Sequence, residues 1–232
     1  NEKRFHLMSD EAKRSAAEAA VKLVQDGMSI GIGTGSTAEH FIRLLGARVA
    51  DGLSVSGVPT SDRSAELCNQ LGITLTNLDD TPVLDMAVDG ADEFDGALNL
   101  IKGGGGALLR EKIVAGAAKR FVVIADASKQ VDVLGRFPLP LEIISMARQP
   151  LSRRLTDMGA DVTLRLAADG APFRTDENHW ILDCAFGPTI AKPAELSQTL
   201  SSWPGVVEHG LFCAMTERVL LGSNDGVRTI TL

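Results

Sequence analysis

Three times before residue 115, a short, largely apolar run ends in a turn and gives way to apolar residues at helical spacing. Met28 to Ile32 runs into Gly33-Thr34-Gly35-Ser36-Thr37, Leu53 to Val58 into Thr60-Ser61, and Leu84 to Val88 into the loop Asp89 to Gly106, with helices expected after each. A strand that is largely apolar must be covered on both faces, so strands of this kind alternating with helices specify a mostly parallel sheet. Phe121 to Ala125 adds another such strand. An amphipathic helix is expected from Asp10 to Gln25, where Ala12, Ala16, Ala19, Ala20, Leu23 and Val24 recur at helical spacing before Gly27. Asn1 to Leu7 is read as a tail outside the fold. Ser36 and Glu39 have the spacing of a capping box for the helix after the glycine turn.

After Gly135 the punctuation changes. Phe137-Pro138-Leu139-Pro140 opens a strand, Pro150 to Met158 reads as a helix, Val162 to Leu166 and Trp180 to Ala185 as strands, and Pro193 to Leu200 as a helix. That order describes a small α+β unit. Val206 to Phe212, Val219 to Gly222 and Val227 to Leu232 are further short strands, the last of which are expected to return to the first sheet. The division expected is therefore residues 1–134 plus 208–232 as a sheet domain and 135–207 as a smaller one.

The 232 residues carry a net charge of −7, a field that repels polyanions and argues against nucleic acid as a partner. Cys68, Cys184 and Cys213 show no CxxC spacing, which indicates neither a disulfide scaffold nor a zinc site and fits a reducing, cytoplasmic address. Charged or turn residues interrupt every hydrophobic stretch, so no membrane span and a soluble protein are expected.

Seven of the 23 glycines stand at positions 31, 33, 35 and 103–106. Gly31-Ile32-Gly33-Thr34-Gly35-Ser36 has Ser36 where a dinucleotide fingerprint needs its third glycine, and it lacks the Gly-Lys pair of a P-loop. What remains is a turn with backbone N–H groups, hydroxyls and a helix N-terminus. It reads either as a site for one phosphate or carboxylate or as a plain turn with a cap. Asp89-Gly90-Ala91-Asp92-Glu93 ends a strand and precedes Lys102-Gly103-Gly104-Gly105-Gly106, where four consecutive glycines demand a structural need for unusual φ/ψ or close approach. A bound ligand, a solvated acidic loop and a divalent-metal site all stand as readings of the acids, although the EF-hand spacing is absent. Glu111 shares its helical face with Ala107, Leu108, Val114 and Ala115, and the opposite residues Leu109 and Ile113 are also apolar. A buried helix with a carboxylate of raised pKa is expected there, either a general base or a Glu satisfied by a distant Lys or by backbone. The histidines, His6, His40, His179 and His209, are scattered, and surface or capping roles are expected.

Seven blocks in order, Gly31 to Ala38, Val58-Pro59-Thr60-Ser61, Asp89 to Glu93, Lys102 to Ala115, Asp126-Ala127-Ser128-Lys129, Phe137 to Pro140 and Asp225-Gly226-Val227, resemble the type A ribose-5-phosphate isomerase family from about Asp10 to the C-terminus. The resemblance implies a Rossmann-like, mostly parallel α/β sheet domain with a smaller α+β, ferredoxin-like domain. It implies an aldose–ketose isomerase of the pentose phosphate pathway, acting on D-ribose 5-phosphate through an enediolate without metal or organic cofactor, as a homodimer or tetramer. It matches Glu111 to the proton-transferring base and Asp89, Asp92 and Lys102 to groups around the reacting carbons. It matches Thr34, Gly35, Ser36, Thr37, Gly90, Ala91, Gly103, Gly104, Gly105 and Lys129, with Asp89, Asp92 and Lys102, to substrate-binding positions, and Lys13 to a further phosphate contact.

Three alternatives stand beside it. A sugar-responsive transcriptional regulator on the same scaffold carries a DNA-binding segment, for which a first helix from about residue 10 leaves no room. An acyl-CoA transferase wants a nucleophilic Glu. An amino-sugar phosphate deaminase wants a histidine in the active-site loops, and only His40, on the helix side, comes near them.

Overall fold

A computed structural model describes residues 2–223 and 226–232, with side chains from Asp10 onward. In chain order the elements are α1 (Glu2–Val21), β1 (Ser29–Ile32), α2 (Ser36–Ala50), β2 (Ser56–Pro59), α3 (Asp62–Gln70), β3 (Thr74–Leu75), β4 (Met86–Asp89), β5 (Glu93–Phe94), β6 (Leu100–Ile101), α4 (Leu108–Ala117), β7 (Phe121–Asp126), β8 (Leu139–Ile143), α5 (Arg148–Asp157), β9 (Asp161–Leu164), β10 (Trp180–Ala185), α6 (Pro193–Ser201), β11 (Val206–His209), β12 (Leu211–Phe212), β13 (Arg218–Ser223) and β14 (Gly226–Ile230). The chain divides into two compact units. The first holds the chain up to Ala91, Arg110–Lys129 and Met215–Leu232; the second holds Asp92–Leu109 and Gln130–Ala214.

The first unit is built on a seven-stranded sheet in the order β14-β13-β7-β4-β1-β2-β3, parallel except for the final β13–β14 hairpin. The chain runs outward from β1 to β3 on one side and then fills the other side from β4, so the order reverses between β1 and β4. Ligand crevices in open parallel sheets form outside the carboxyl ends at such a reversal. Because side chains alternate along a strand, Ile30, Ile32, Met86, Val88, Val122 and Ile124 enter one core with Ala16, Ala20, Phe41, Ile42 and Leu45 of α1 and α2 and Cys68 of α3. At the middle of β1 and β4 the other face is small. A Cβ on Gly31 would lie 2.4 Å from Val114 Cγ1 of α4 and 2.8 Å from the Ala87 Cβ, so the missing side chain is what lets α4 lie against the sheet.

In the second unit, β8-α5-β9-β10-α6-β11 forms an antiparallel sheet in the order β11-β8-β10-β9, the ferredoxin-like arrangement, around Leu139, Leu141, Ile143, Leu151, Leu155, Leu182 and Trp203. A second, three-stranded sheet runs β12-β6-β5. Both parts of the expected fold class are present.

Several boundaries differ from the sequence reading. Residues 92–109, 130–134 and 208–214, placed there with the sheet domain, fall in the second unit; β5 pairs with β6 and β6 with β12, and none of the three with the large sheet. Glu2 to Leu7, within the stretch read as a tail, belong to α1, which ends at Val21 rather than at Gln25. The run Val206 to Phe212 splits at Gly210, where a Cβ would meet the Lys102 carbonyl oxygen at 2.2 Å. Helix α4 is not apolar all round in its setting, since Ile113 is 51% exposed.

Candidate active site

In the first unit the carboxyl ends of β2, β1, β4 and β7, neighbours in the sheet, carry the polar turns. The turn after β1 is tied to the strand beside it: Gly33 donates its N–H to the Val88 carbonyl at 2.9 Å, and Asp89 Oδ1 accepts the N–H groups of Thr34 at 3.1 Å and Gly90 at 2.7 Å. Asp89 is 3% exposed. A Cβ at position 33 would lie 2.1 Å from Asp89 Oδ1, so glycine is required for the carboxylate to reach the turn.

Thr34 Oγ1 sits among hydroxyls, 2.7 Å from Thr60, 2.8 Å from Ser61 and 3.2 Å from Ser64, while Ser64 Oγ donates to the Gly33 carbonyl at 2.8 Å. Ser61 also caps α3 by accepting the Ser64 N–H. Thr60-Ser61 read from sequence only as a helix start. Their position at the end of the strand next to β1 is the signal that joins them to the turn.

The capping box expected at Ser36 and Glu39 does not form. Gly35, at φ 103°, is the N-cap of α2 and supplies no side-chain hydrogen bond. Glu39 turns instead to Arg43 at 2.8 Å and Arg63 at 3.0 Å, and the Arg43 hydrogen bond holds its carboxyl below the usual range. Ser36 Oγ accepts from Lys13 Nζ at 3.2 Å. A 15-residue helix thus points a start without a side-chain cap, together with a lysine ammonium, at the glycine turn, which is the arrangement that favours an anion. Thr37 is buried in the same helical turn, and Lys129 stands half-buried after β7 in a turn organised by Asp126, whose Oδ1 accepts the Ser128 N–H at 2.9 Å.

Glu111, 6% exposed, lies three and four residues before the buried Val114 and Ala115, on the face that α4 turns to the sheet. The Gly31 gap is what sets that helix.

In the second unit, Asp92 Oδ2 accepts the Gly104 N–H at 2.7 Å, and a Cβ on Gly104 would meet Asp92 Oδ1 at 2.7 Å. Lys102 is 2% exposed; its N–H donates to the Gly210 carbonyl at 2.8 Å and its Nζ stands 5.6 Å from the centre of the Phe212 ring, a cation–π distance. Gly103 and Gly106 have φ of 104° and 81°, where a side chain is strained, and Phe173 leaves no room for a Cβ on Gly106. Glu93 is structural, since its carboxylate accepts the N–H groups of Gly135 at 2.9 Å and Phe137 at 2.6 Å. Among the described residues, no group of three or more His, Cys, Asp or Glu side chains is placed to hold a metal ion.

The structure thus gathers Thr34, Gly35, Ser36, Thr37, Asp89, Gly90 and Ala91 with Lys13 around one loop system of the first unit, and Asp92, Lys102 and Gly103 to Gly105 around one loop of the second. Asp225 lies outside the described residues. His209 corrects the expectation of surface histidines: it is 2% exposed, with Nε2 at 3.2 and 3.1 Å from the Ser197 and Ser201 hydroxyls. Among the described residues, no helix is long and apolar enough to cross a membrane.

Comparison with known proteins bears on this arrangement. The family signature of ribose 5-phosphate isomerase A (phosphoriboisomerase A) matches residues 56–226. The chain is 52% identical over 230 residues to a ribose-5-phosphate isomerase A of Parvibaculum lavamentivorans, covering 97% of this chain and 99% of the relative. The solved structure of ribose 5-phosphate isomerase A from Methanocaldococcus jannaschii superposes with a TM-score of 0.91 at 44% identity, over 95% of this chain and 98% of that one. A D-ribose-5-phosphate isomerase solved in complex with phospho-erythronic acid superposes with a TM-score of 0.94 at 38% identity, over 97% of this chain and 99% of that one. Sequence, fold and the two glycine loops agree, and the chain belongs to the ribose-5-phosphate isomerase A family of isomerases.

Proposed function

We propose that the protein interconverts D-ribose 5-phosphate and D-ribulose 5-phosphate by proton transfer through an enediolate, with Glu111 as the base. The observation that carries this reading is the turn after β1, which ties an anion-binding helix start with Lys13 to the buried carboxylate of Asp89 in one hydrogen-bonded loop. A phosphorylated sugar fits such a loop at both ends, and a relative of the same fold binds phospho-erythronic acid, a phosphorylated sugar acid.

In the aldose-to-ketose direction the Glu111 carboxylate takes the proton from C2, and the C1 carbonyl becomes the enediolate oxygen. The same carboxyl returns the proton to C1, while the O2 hydroxyl proton passes to O1 and leaves the C2 carbonyl. Asp89 and Asp92 are the groups for that transfer between oxygens. The Lys102 ammonium and the N–H groups of Gly103 to Gly105 stabilise the charge that develops on oxygen. Thr34, Gly35, Ser36, Thr37, Gly90, Ala91 and Lys129, with Lys13, hold the phosphate and hydroxyls. The reading requires no metal or organic cofactor. A cytoplasmic homodimer in the pentose phosphate pathway accompanies it, and light scattering tests the dimer.

Protein dialysed against EDTA is expected to convert ribose 5-phosphate to ketose, followed by absorbance, and loss of that activity on chelation with recovery on added metal overturns the cofactor-free mechanism. Glu111→Gln is expected to fold and bind substrate but to lose about 10²- to 10⁴-fold in kcat, the usual share of a positioned acid–base group. A kcat near that of the wild type removes Glu111 as the base.

A further inference from the structure

Arg165 follows β9 in the second unit, some sixty residues along the chain from the glycine run, and no spacing in the sequence singles it out. Its side chain is 15% exposed. Nε donates to Asp183 Oδ2 at 2.9 Å and Nη2 to Asp183 Oδ1 at 2.5 Å, the two-pronged pairing that a planar guanidinium forms with a carboxylate. Nη1 donates to the carbonyl oxygens of Gly103 at 2.9 Å and Gly104 at 3.1 Å. The backbone beneath is held as well: the Arg165 N–H donates to Ile181 at 2.9 Å, and its carbonyl accepts from Phe173 at 2.9 Å. Phe173 stands 5.9 Å from the guanidinium carbon, with its ring edge 2.6 Å from where a Cβ on Gly106 would be.

In a trans peptide the C=O and N–H point to opposite sides. The peptide between Gly103 and Gly104 is therefore gripped at both ends, its carbonyl by Arg165 and its N–H by Asp92 Oδ2 at 2.7 Å. The next peptide has its carbonyl on the same nitrogen, which turns the Gly105 N–H the opposite way, as a donor aimed away from the guanidinium. Consecutive glycines are the backbone most free to take other conformations; the loop's own hydrogen bond, from the Gly106 N–H to the Gly103 carbonyl at 3.0 Å, closes the turn, and the orientation of the peptides within it is held from outside by Arg165 and Asp92.

We infer that Arg165, fixed by Asp183, is a positioning residue of the isomerase reaction: it orients the Gly103–Gly105 peptides so that Asp92 and the Gly105 N–H are preset for the substrate. This rests on the isomerase reading above. Lysine is no substitute, because one ammonium on a flexible stem cannot pair with Asp183 and hold two carbonyls in a fixed plane.

The test compares wild type with Arg165→Lys, which keeps the charge opposite Asp183 and so protects the fold, and with Arg165→Ala. Two readouts are taken: hydrogen–deuterium exchange of the amides of residues 103–106, and kcat and KM on ribose 5-phosphate. Expected are faster exchange confined to the loop, a fall in kcat/KM of about tenfold or more in both variants, and partial recovery of Arg165→Ala by millimolar guanidinium but not by urea. Unchanged kcat/KM in Arg165→Lys, or recovery by urea as well as by guanidinium, overturns the positioning role. If the wild-type chain does not isomerise ribose 5-phosphate, the isomerase reading falls by that result alone. Loop exchange then still decides the clamp: faster exchange in the variants upholds it, and unchanged exchange removes it.

Discussion

Gly33 illustrates how a single absent methyl group sets the chemistry of a loop. The place a Cβ would take is filled by Asp89 Oδ1, 2.1 Å away, and the displaced atom is backbone-anchored through Thr34 and Gly90. Gly33→Ala is expected to cost about 1–3 kcal/mol, the usual range for overpacking, with the loss in kcat/KM exceeding that of Gly35→Ala, where nothing lies within 4 Å and only the φ of 103° resists. Urea denaturation and steady-state kinetics check both halves. The glycine turn and Asp89 were legible in the sequence because both follow apolar strands. The capping-box spacing did not hold, because Gly35 takes the N-cap and Glu39 pairs with Arg43 four residues on. Lys13 and Arg63 were not legible, since they lie 23 and 24 residues from Ser36 and Glu39 and reach them only through the fold. Arg165 escaped for the same reason.

Among the elements, the contact of α4 with the sheet matters most. Gly31 and Ala87 on one face leave the hollow that Val114 fills, while Ile30, Ile32, Met86 and Val88 face α1 and α2 on the other. Gly31→Val is expected to lift α4, destabilising the protein by about 1–3 kcal/mol and, on the proposed mechanism, lowering kcat more than it raises KM, because the helix carries the proposed base Glu111 and not the turn proposed to hold the phosphate. Kinetics at a temperature well below unfolding separate the two effects. Long apolar strands such as Phe121–Asp126 and Trp180–Ala185 were readable to within a residue, because burial on both faces or alternation marks them directly. Glu93–Phe94 and Leu100–Ile101 were hidden in a loop, since two residues carry no periodicity, and the second partner of Leu100–Ile101 is Leu211–Phe212, more than a hundred residues later.

For the molecule as a whole, buried and paired carboxylates set the dependence of stability on pH. Hydrogen bonds from Arg43 to Glu39, Lys119 to Asp85 and Arg120 to Glu217 hold these three below the ordinary carboxylate range. Each contributes stability that is present above its unfolded-state pKa and lost as pH falls through the folded one. Glu142 behaves in the opposite sense. It is 1% exposed, and burial pushes it up against the opposing hydrogen bonds from Thr175 at 2.8 Å and His179 at 3.0 Å. Its folded form keeps a proton that the unfolded chain has released, so stability falls as pH rises through the window between the two pKa values. Glu142→Gln is expected to remove this fall, so that the melting temperature no longer declines as pH rises from the ordinary carboxylate pKa to the raised one, which thermal unfolding across that window measures. The net charge of −7 foretold none of this. The chain also passes between its two compact units four times, at residues 91, 109, 129 and 214, with Asp89 on one side of the first crossing and Asp92 on the other. Because the first unit holds both the start and the end of the sequence, a single recombination event between two diverged relatives splits that unit between parents wherever it falls.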